Sequence, residues 1–290
     1  MFFKKKRINV NEVKTTAKST TRELPAFTVV NGNKRNSSGM ISYQAAGLQG
    51  IGARERQEDS FALVNTADVT KIIEKGLLAV VCDGMGGLRD GKLIREAAVN
   101  GFVACFDSLN RDEKEQIPGQ LTETCRMINE DIRAAHGSAG GTTAVLVLAY
   151  DSELYWLAVG DSLIFLKRGG SLIKLNKEHV YLNDLYLKEL GRKNIDKREA
   201  ESDEQKDSLT EYIGKAEIGE MDYNKRAMPL GIGDVILLCS DGVSSYISEQ
   251  EISRAMDLPP REACAQLEAA VRSKNNPAQD NYTCIFISCV

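Results

Sequence analysis

GLLAVVCDGMGGLRDG, from Gly76 to Gly91, joins three kinds of sequence. An apolar run, Leu77 to Cys82, stops at Asp83. Gly84, Gly86 and Gly87 follow, and a helical pattern begins after Gly91. The run is short and rich in Val and Leu, so it reads as a buried strand. An acid at the end of a buried strand, followed by glycine, is a good place for a metal. Glycine lets the backbone turn sharply and lets a carbonyl approach a ligand closely. Asp-Gly is also the mark of a plain turn. This stretch alone leaves both readings open.

Upstream, Ser42 to Gln49 and Ser60 to Asn65 read as strands, and a folded domain is expected over 41–290. The loop between them places Asp59 at the mouth of a strand and Arg54 close by. A guanidinium there can grip phosphate through two parallel hydrogen bonds. A solvated charged loop is the plainer alternative. Downstream, Lys92 to Leu109 repeats Ile94, Ala98, Phe102, Cys105 and Leu109 at helical spacing. Residues 113–135 predict a second helix, with Pro118 near its start and Gly137 to Gly141 breaking it. Thr142 to Ala149, Leu154 to Val159, Leu163 to Lys167 and Ser171 to Leu175 are short β-prone runs on hairpin-length connections. They predict an antiparallel meander. Asp161 follows a glycine between the second and third of these.

Residues 178–214 change character. Tyr181 to Leu190 predicts a short helix, and Asp196 to Asp207 holds six acids and three bases. The segment is expected to be an exposed, mobile charged insertion, a flap that influences which substrates enter if it borders the site. Val235 to Cys239 then repeats the layout at Asp83, ending in Ser240, Asp241 and Gly242. Helices are expected over 248–257 and 260–273, the first with capping-box spacing between Ser248 and Glu251. Asp280 and Asn281 open the closing strand, Tyr282 to Ser288.

The 290 residues are 42% hydrophobic and 27% charged, ordinary for a globular chain. Residues 1–40 hold nine Lys/Arg against two Asp/Glu and read as a flexible basic extension, with a short strand near Phe27 to Val30. Its Lys4-Lys5-Lys6-Arg7 cluster could touch an anionic surface or an acidic partner; a solvated tail is the simpler reading. The other residues carry 28 Lys/Arg and 39 Asp/Glu. So acidic a body argues against nucleic-acid binding, which needs a basic face. Seven cysteines include no C-x-x-C pair, and several sit in apolar runs, so a reducing compartment is expected. With only His136 and His179, a histidine zinc site and a Ser-His-Asp triad are both disfavoured. No apolar run is long enough to span a membrane, and MFFKKKR lacks the apolar core of a secretory signal.

Five acids sit at strand ends: Asp59, Asp83, Asp161, Asp241 and Asp280. A folded sheet gathers strand ends, and gathered carboxylates repel unless cations neutralise them. Such an all-oxygen cluster suits Mg²⁺ or Mn²⁺ rather than zinc. Two such ions can ionise a water and stabilise displacement at phosphorus. The pieces in question are Arg54-x-x-Gln57-Glu58-Asp59, Val81-Cys82-Asp83-Gly84-Met85-Gly86-Gly87, Gly141-Thr142-Thr143-Ala144, Val159-Gly160-Asp161-Ser162, Leu238-Cys239-Ser240-Asp241-Gly242 and Asp280-Asn281-x-Thr283. In order and separation they resemble the metal-dependent protein phosphatases of the type 2C (PPM) family, bacterial branch. The resemblance covers about residues 42–288.

That resemblance implies an α+β fold, an α-β-β-α sandwich of two antiparallel sheets flanked by helices. It implies a binuclear Mn²⁺ or Mg²⁺ centre with a weaker third ion. Asp59, a bridging Asp83 and the Gly84 carbonyl would serve the first ion; Asp241 and Asp280 would hold the second. Glu58 would act through a metal-bound water, and Arg54 would clamp phosphate. Asp161 with Asp241 resembles the ligand set of the third ion. The implied activity is hydrolysis of phosphoserine and phosphothreonine in proteins by direct attack of water. Phosphorylated proteins are the expected partners, with an opposing Ser/Thr kinase; a cytoplasmic monomer is expected.

Some positions depart from the family pattern. Gln57 stands where Asn is frequent, and Met85 where many eukaryotic members have histidine. Ser245 stands where a further Asp often supports the third ion. Asp207 to Glu211 stands where bacterial members often carry basic residues. Two other readings compete. One is a pseudophosphatase that binds phosphoproteins without hydrolysing them, disfavoured because all four core aspartates are present. The other is a phosphatase dedicated to an anti-anti-sigma regulator, disfavoured by the lack of a sensor domain.

Overall fold

The computed structural model describes residues 41–66, 68–85, 89–138, 140–190 and 197–290. The basic extension, its Phe27 to Val30 run, and Gly86 and Gly87 lie outside the described residues. In chain order the elements are β1 (Tyr43–Gly50), β2 (Asp59–Val64), α1 (Val69–Lys75), β3 (Leu77–Met85), α2 (Arg89–Phe106) and α3 (Ile117–His136). Next come β4 (Gly141–Thr142), β5 (Ala144–Tyr150), β6 (Glu153–Val159), β7 (Leu163–Arg168), β8 (Ser171–Lys174), α4 (Tyr181–Leu190) and α5 (Lys197–Glu201). The chain closes with β9 (Asp222–Tyr223), β10 (Met228–Pro229), β11 (Val235–Cys239), α6 (Asp241–Ser244), α7 (Glu249–Ala255), α8 (Pro260–Ser273) and β12 (Tyr282–Cys289).

Two antiparallel sheets result. One runs β1-β12-β11-β7-β8 and the other β10-β6-β5-β3-β2, with β4 on β3 and β9 on β6. The strand period of two explains how they stack. In β3, Leu77, Ala79 and Val81 face the other sheet, meeting Ile164, Ile236 and Ile285. Leu78, Val80 and Cys82 face Ile94, Phe102 and Ile128 of α2 and α3. On the far side, Phe165, Leu237 and Phe286 pack under Ile252 and Leu267 of α7 and α8. The layers are therefore helix, sheet, sheet, helix, as the resemblance implies.

The structure corrects several expectations. The four β-prone runs do not form one meander. β5 and β6 belong to one sheet and β7 and β8 to the other, so Gly160-Asp161-Ser162 is a crossing between sheets. Gly160 adopts φ +104°, open to glycine but strained for other residues. A Cβ there would lie 2.7 Å from Thr143. Asp83 is also not at the end of its strand: β3 continues to Met85 because β4 pairs with Gly84 and Met85. Helix α1 was not expected; Asp68 caps it, accepting from the Lys71 N–H at 3.2 Å. The capping box at Ser248 and Glu251 is present.

The segment 178–214 is not exposed at its ends. The His179 N–H donates to the Gly160 carbonyl at 2.9 Å, and Ile213 exchanges two 2.9 Å backbone bonds with Thr142. Asn129 Oδ1 accepts from the Gly214 N–H at 2.6 Å. Its charged middle, around α5, is exposed.

Candidate metal centre

Antiparallel register sets Asp59 of β2 directly opposite Asp83 of β3, which brings their side chains within reach of each other. The opposite sheet then takes hold of Asp59. Ser240 Oγ donates to its Oδ2 at 2.8 Å and Thr283 Oγ1 to the same atom at 2.6 Å. Asp59 Oδ1 is buried without a hydrogen-bond partner. The Asp83 backbone is pinned by Thr143, whose Oγ1 accepts from its N–H at 3.0 Å. The Asp83 carboxyl interacts with those of both Asp59 and Asp241.

Glycine permits two close approaches here. The Gly84 N–H donates to the Glu58 carbonyl at 2.8 Å, and a Cβ on Gly84 would lie 2.7 Å from that oxygen. A Cβ on Gly242 would lie 1.8 Å from the Asn281 carbonyl oxygen. These contacts bring the Glu58 and Asp280 loops onto the two Asp-Gly steps. Asn281 Oδ1 accepts from the Glu58 N–H at 2.5 Å and its Nδ2 donates to Ile51 O at 2.8 Å. Asp241 Oδ1 is buried and unpartnered. Asp280 forms a 2.6 Å ion pair with Arg54, more than half exposed.

The acids oppose one another's ionisation. Burial pushes Asp59 up to about 6, against the pull of the Thr283 and Ser240 hydroxyls, and the charge of Asp241 adds to the rise. Burial, then the charges of Asp59 and Asp241, raise Asp83 well above the usual carboxylate range. Burial and the neighbouring Asp241 push Asp161 up to about 7. Burial also raises Asp241, with the charge of Asp280 adding to the rise and the Arg54 guanidinium opposing it. So the expected acids, Asp59, Asp83, Asp161, Asp241 and Asp280, stand within each other's fields, with Glu58 and Gly84 at their edge and Arg54 on Asp280. Among the described residues, no three Asp, Glu, His or Cys side chains already close on a single point. An all-oxygen donor set with two orphaned buried carboxylate oxygens fits hard divalent cations. A groove of about 520 Å³ between β8 and α4 is lined by Lys174, Tyr186 and Leu187 among others, and none of these acids lines it.

Sequence reading assigned no role to Ser240, Thr283, Asn281 or Thr143. Ser240 and Asn281 each adjoin a motif acid, and that adjacency was their signal; Thr143 and Thr283 stand beside none. Arg95 of α2 gave no signal: it lies 4% exposed beside the acids, where its helix spacing carried no warning.

The acid cluster between two antiparallel sheets is the layout of a metal-dependent phosphatase, and relatives narrow this further. Residues 47–273 match the model of the family described as Protein phosphatase 2C. The chain is 29% identical over 219 residues to the protein phosphatase PhpP of Streptococcus pneumoniae, covering 73% of this chain and 85% of that one. It is 25% identical over 241 residues to the serine/threonine phosphatase stp of Listeria monocytogenes, covering 81% and 90%. Among solved structures, the Mycobacterium tuberculosis serine/threonine phosphatase PstP/Ppp has the same fold, with TM-score 0.70, 24% identity, and 86% and 99% of the two chains covered. A PstP catalytic domain solved with two manganese ions gives TM-score 0.66 at 23% identity, covering 87% and 99%. The chain belongs to the protein phosphatase 2C family. It is a metal-dependent protein serine/threonine phosphatase.

Proposed function

We propose that the chain hydrolyses phosphoserine and phosphothreonine in proteins at a binuclear Mn²⁺ or Mg²⁺ centre. Asp59, Asp83 and the Gly84 carbonyl would hold one ion, and Asp83, Asp241 and Asp280 the other. The observation that carries this reading is the pair of buried, unpartnered oxygens, Asp59 Oδ1 and Asp241 Oδ1, whose carboxyls both interact with Asp83. When bound, two such ions supply an ionised water for in-line displacement at phosphorus. The chain's own residues do the remainder. Ser240 and Thr283 fix the orientation of Asp59. Asn281 holds the backbone of Glu58, assigned an outer position reached through water. Arg54 exchanges Asp280 for the phosphate oxygens, which its planar fork fits in two places. Met85 has no proton to give, so the residue at that position does not protonate the leaving group. Asp161, facing Asp241, is assigned to a weaker third ion.

Phosphorylated proteins are the substrates, made by an opposing Ser/Thr kinase. The enzyme acts as a monomer in the cytoplasm; seven unpaired cysteines fit a reducing compartment. Hydrolysis of p-nitrophenyl phosphate and of a phosphothreonine peptide, with Mn²⁺, with Mg²⁺ and with EDTA, tests the reading. Metal-dependent turnover silenced by EDTA is expected. A folded protein inert with either metal overturns it in favour of phosphoprotein binding without hydrolysis.

A further inference from the structure

Arg95 sits where an arginine is costly. It is only 4% exposed, on the α2 face that carries Ile94 and Ala98 into the core. Its Nη2 donates to the Gln57 carbonyl, and its Nε is buried with no partner. Its side chain lies against β3, with Cδ 3.3 Å from where a Cβ on Gly84 would stand. The charges facing it are Glu96 of its own helix, Glu58 and Asp59 at the start of β2, and Asp83 of β3. A buried charge with an orphaned donor persists where it offsets charge of the opposite sign.

The carbonyl it grips belongs to the segment that presents Asp59. Gln57 Oε1 accepts from the Asp59 N–H at 2.8 Å, and Gln57 Nε2 donates to Gly50 O at 3.0 Å. Arg95 therefore reaches the acids both through space and through this short run of backbone. Arg54, another cation at the site, is more than half exposed and pairs with Asp280, so solvent screens it.

We propose that Arg95 is the fixed counter-charge of the acid cluster, a positioning residue that lets Asp59 and Asp83 stand together and thereby weakens the attraction of the site for divalent cations. This rests on the metal assignment above. It has a consequence of unusual sign. Neutralising Arg95 removes a repulsion on incoming cations and an attraction on the acids. Cation binding then tightens while the metal-free fold weakens. A residue that merely props up the loop would lower both.

The test uses the full chain stripped with EDTA, Mn²⁺ calorimetry and thermal melting. Arg95→Gln keeps a donor for the Gln57 carbonyl and drops the charge; Arg95→Lys keeps the charge. For Arg95→Gln, Mn²⁺ should bind at least about tenfold more tightly, since removing one unit of like charge from a partly buried site is worth at least that much. Its metal-free Tm should fall. Arg95→Lys should restore both towards the parent. If the parent binds no Mn²⁺, the metal assignment falls, and this inference with it. If the parent binds and Arg95→Gln binds equally or more weakly, only the counter-charge role is overturned. An Arg95→Gln chain that folds only once Mn²⁺ is added supports the role. One that stays unfolded at saturating Mn²⁺, with Arg95→Lys folded, overturns it.

Discussion

At the scale of single residues, the site is a set of acids held apart by hydroxyls and backbone. Asp83 carries the greatest burden because its carboxyl meets two others. Asp83→Asn should nearly abolish turnover and remove one Mn²⁺ from the calorimetric stoichiometry; retention of most activity would show that Asp83 bridges nothing. Arg54→Ala should raise KM for a phosphopeptide while leaving Mn²⁺ affinity nearly intact, because its role is with phosphate; an unchanged KM would end that assignment. Thr283→Val removes a buried hydroxyl that donates to Asp59 at 2.6 Å. Bonds to charged groups are worth about 1.5–3 kcal/mol, so a loss of that order is expected in chemical denaturation of the Mn²⁺-loaded enzyme. The acids were legible in the sequence because each adjoins a β-prone run. Thr283 was not, since a threonine in a strand has no pattern of its own until the opposing sheet places Asp59 above it.

At the scale of elements, the decisive feature is the crossing at Gly160. Hairpin-length spacing from β5 to β8 cannot distinguish a turn within a sheet from a step between sheets, because both need few residues and a glycine. Only the pairing of β7 with β11 settles it, and that pairing lifts Asp161 to the acid cluster. The second Asp-Gly step is equally constrained. Gly242→Ala would push a Cβ to 1.8 Å from the Asn281 carbonyl, so a loss on the order of 4 kcal/mol is expected, read as a lower Tm both with and without Mn²⁺. The return arm of the 178–214 segment hangs on Asn129, which accepts from Gly214 and donates to the Lys215 carbonyl at 3.1 Å. Asn129→Ala should expose the segment to proteases while hydrolysis of p-nitrophenyl phosphate stays near the parent rate; unaltered proteolysis would mean that Ile213 and Thr142 suffice to hold it.

At the scale of the whole molecule, burying several acids together couples stability to pH and metal. Asp59 and Asp161 rise from the ordinary 3.8 to about 6 and about 7 in the folded chain. A raised carboxyl keeps its proton in the folded state where the unfolded chain has lost it. Folding stability from these groups is therefore full below about pH 4 and is lost as pH rises through 6 to 7. Divalent cations need the ionised form. The gap in Tm between Mn²⁺-loaded and EDTA-stripped protein should thus widen from pH 4 to pH 7; a constant gap would place metal binding elsewhere. By itself, the sequence determined the long strands and helices and the acids, but not short elements such as α1. Apolar runs of period two and 3.6 fix strands and helices locally, and an Asp-Gly step after a buried run can be read without knowing its neighbours. Tertiary structure alone decided which sheet each strand joins, that Ser240 and Thr283 reach across to Asp59, that the 178–214 segment is tied down at both ends, and that Arg95 faces the acids. Each of these depends on contacts between residues far apart in the chain, and local periodicity carries no information about such partners.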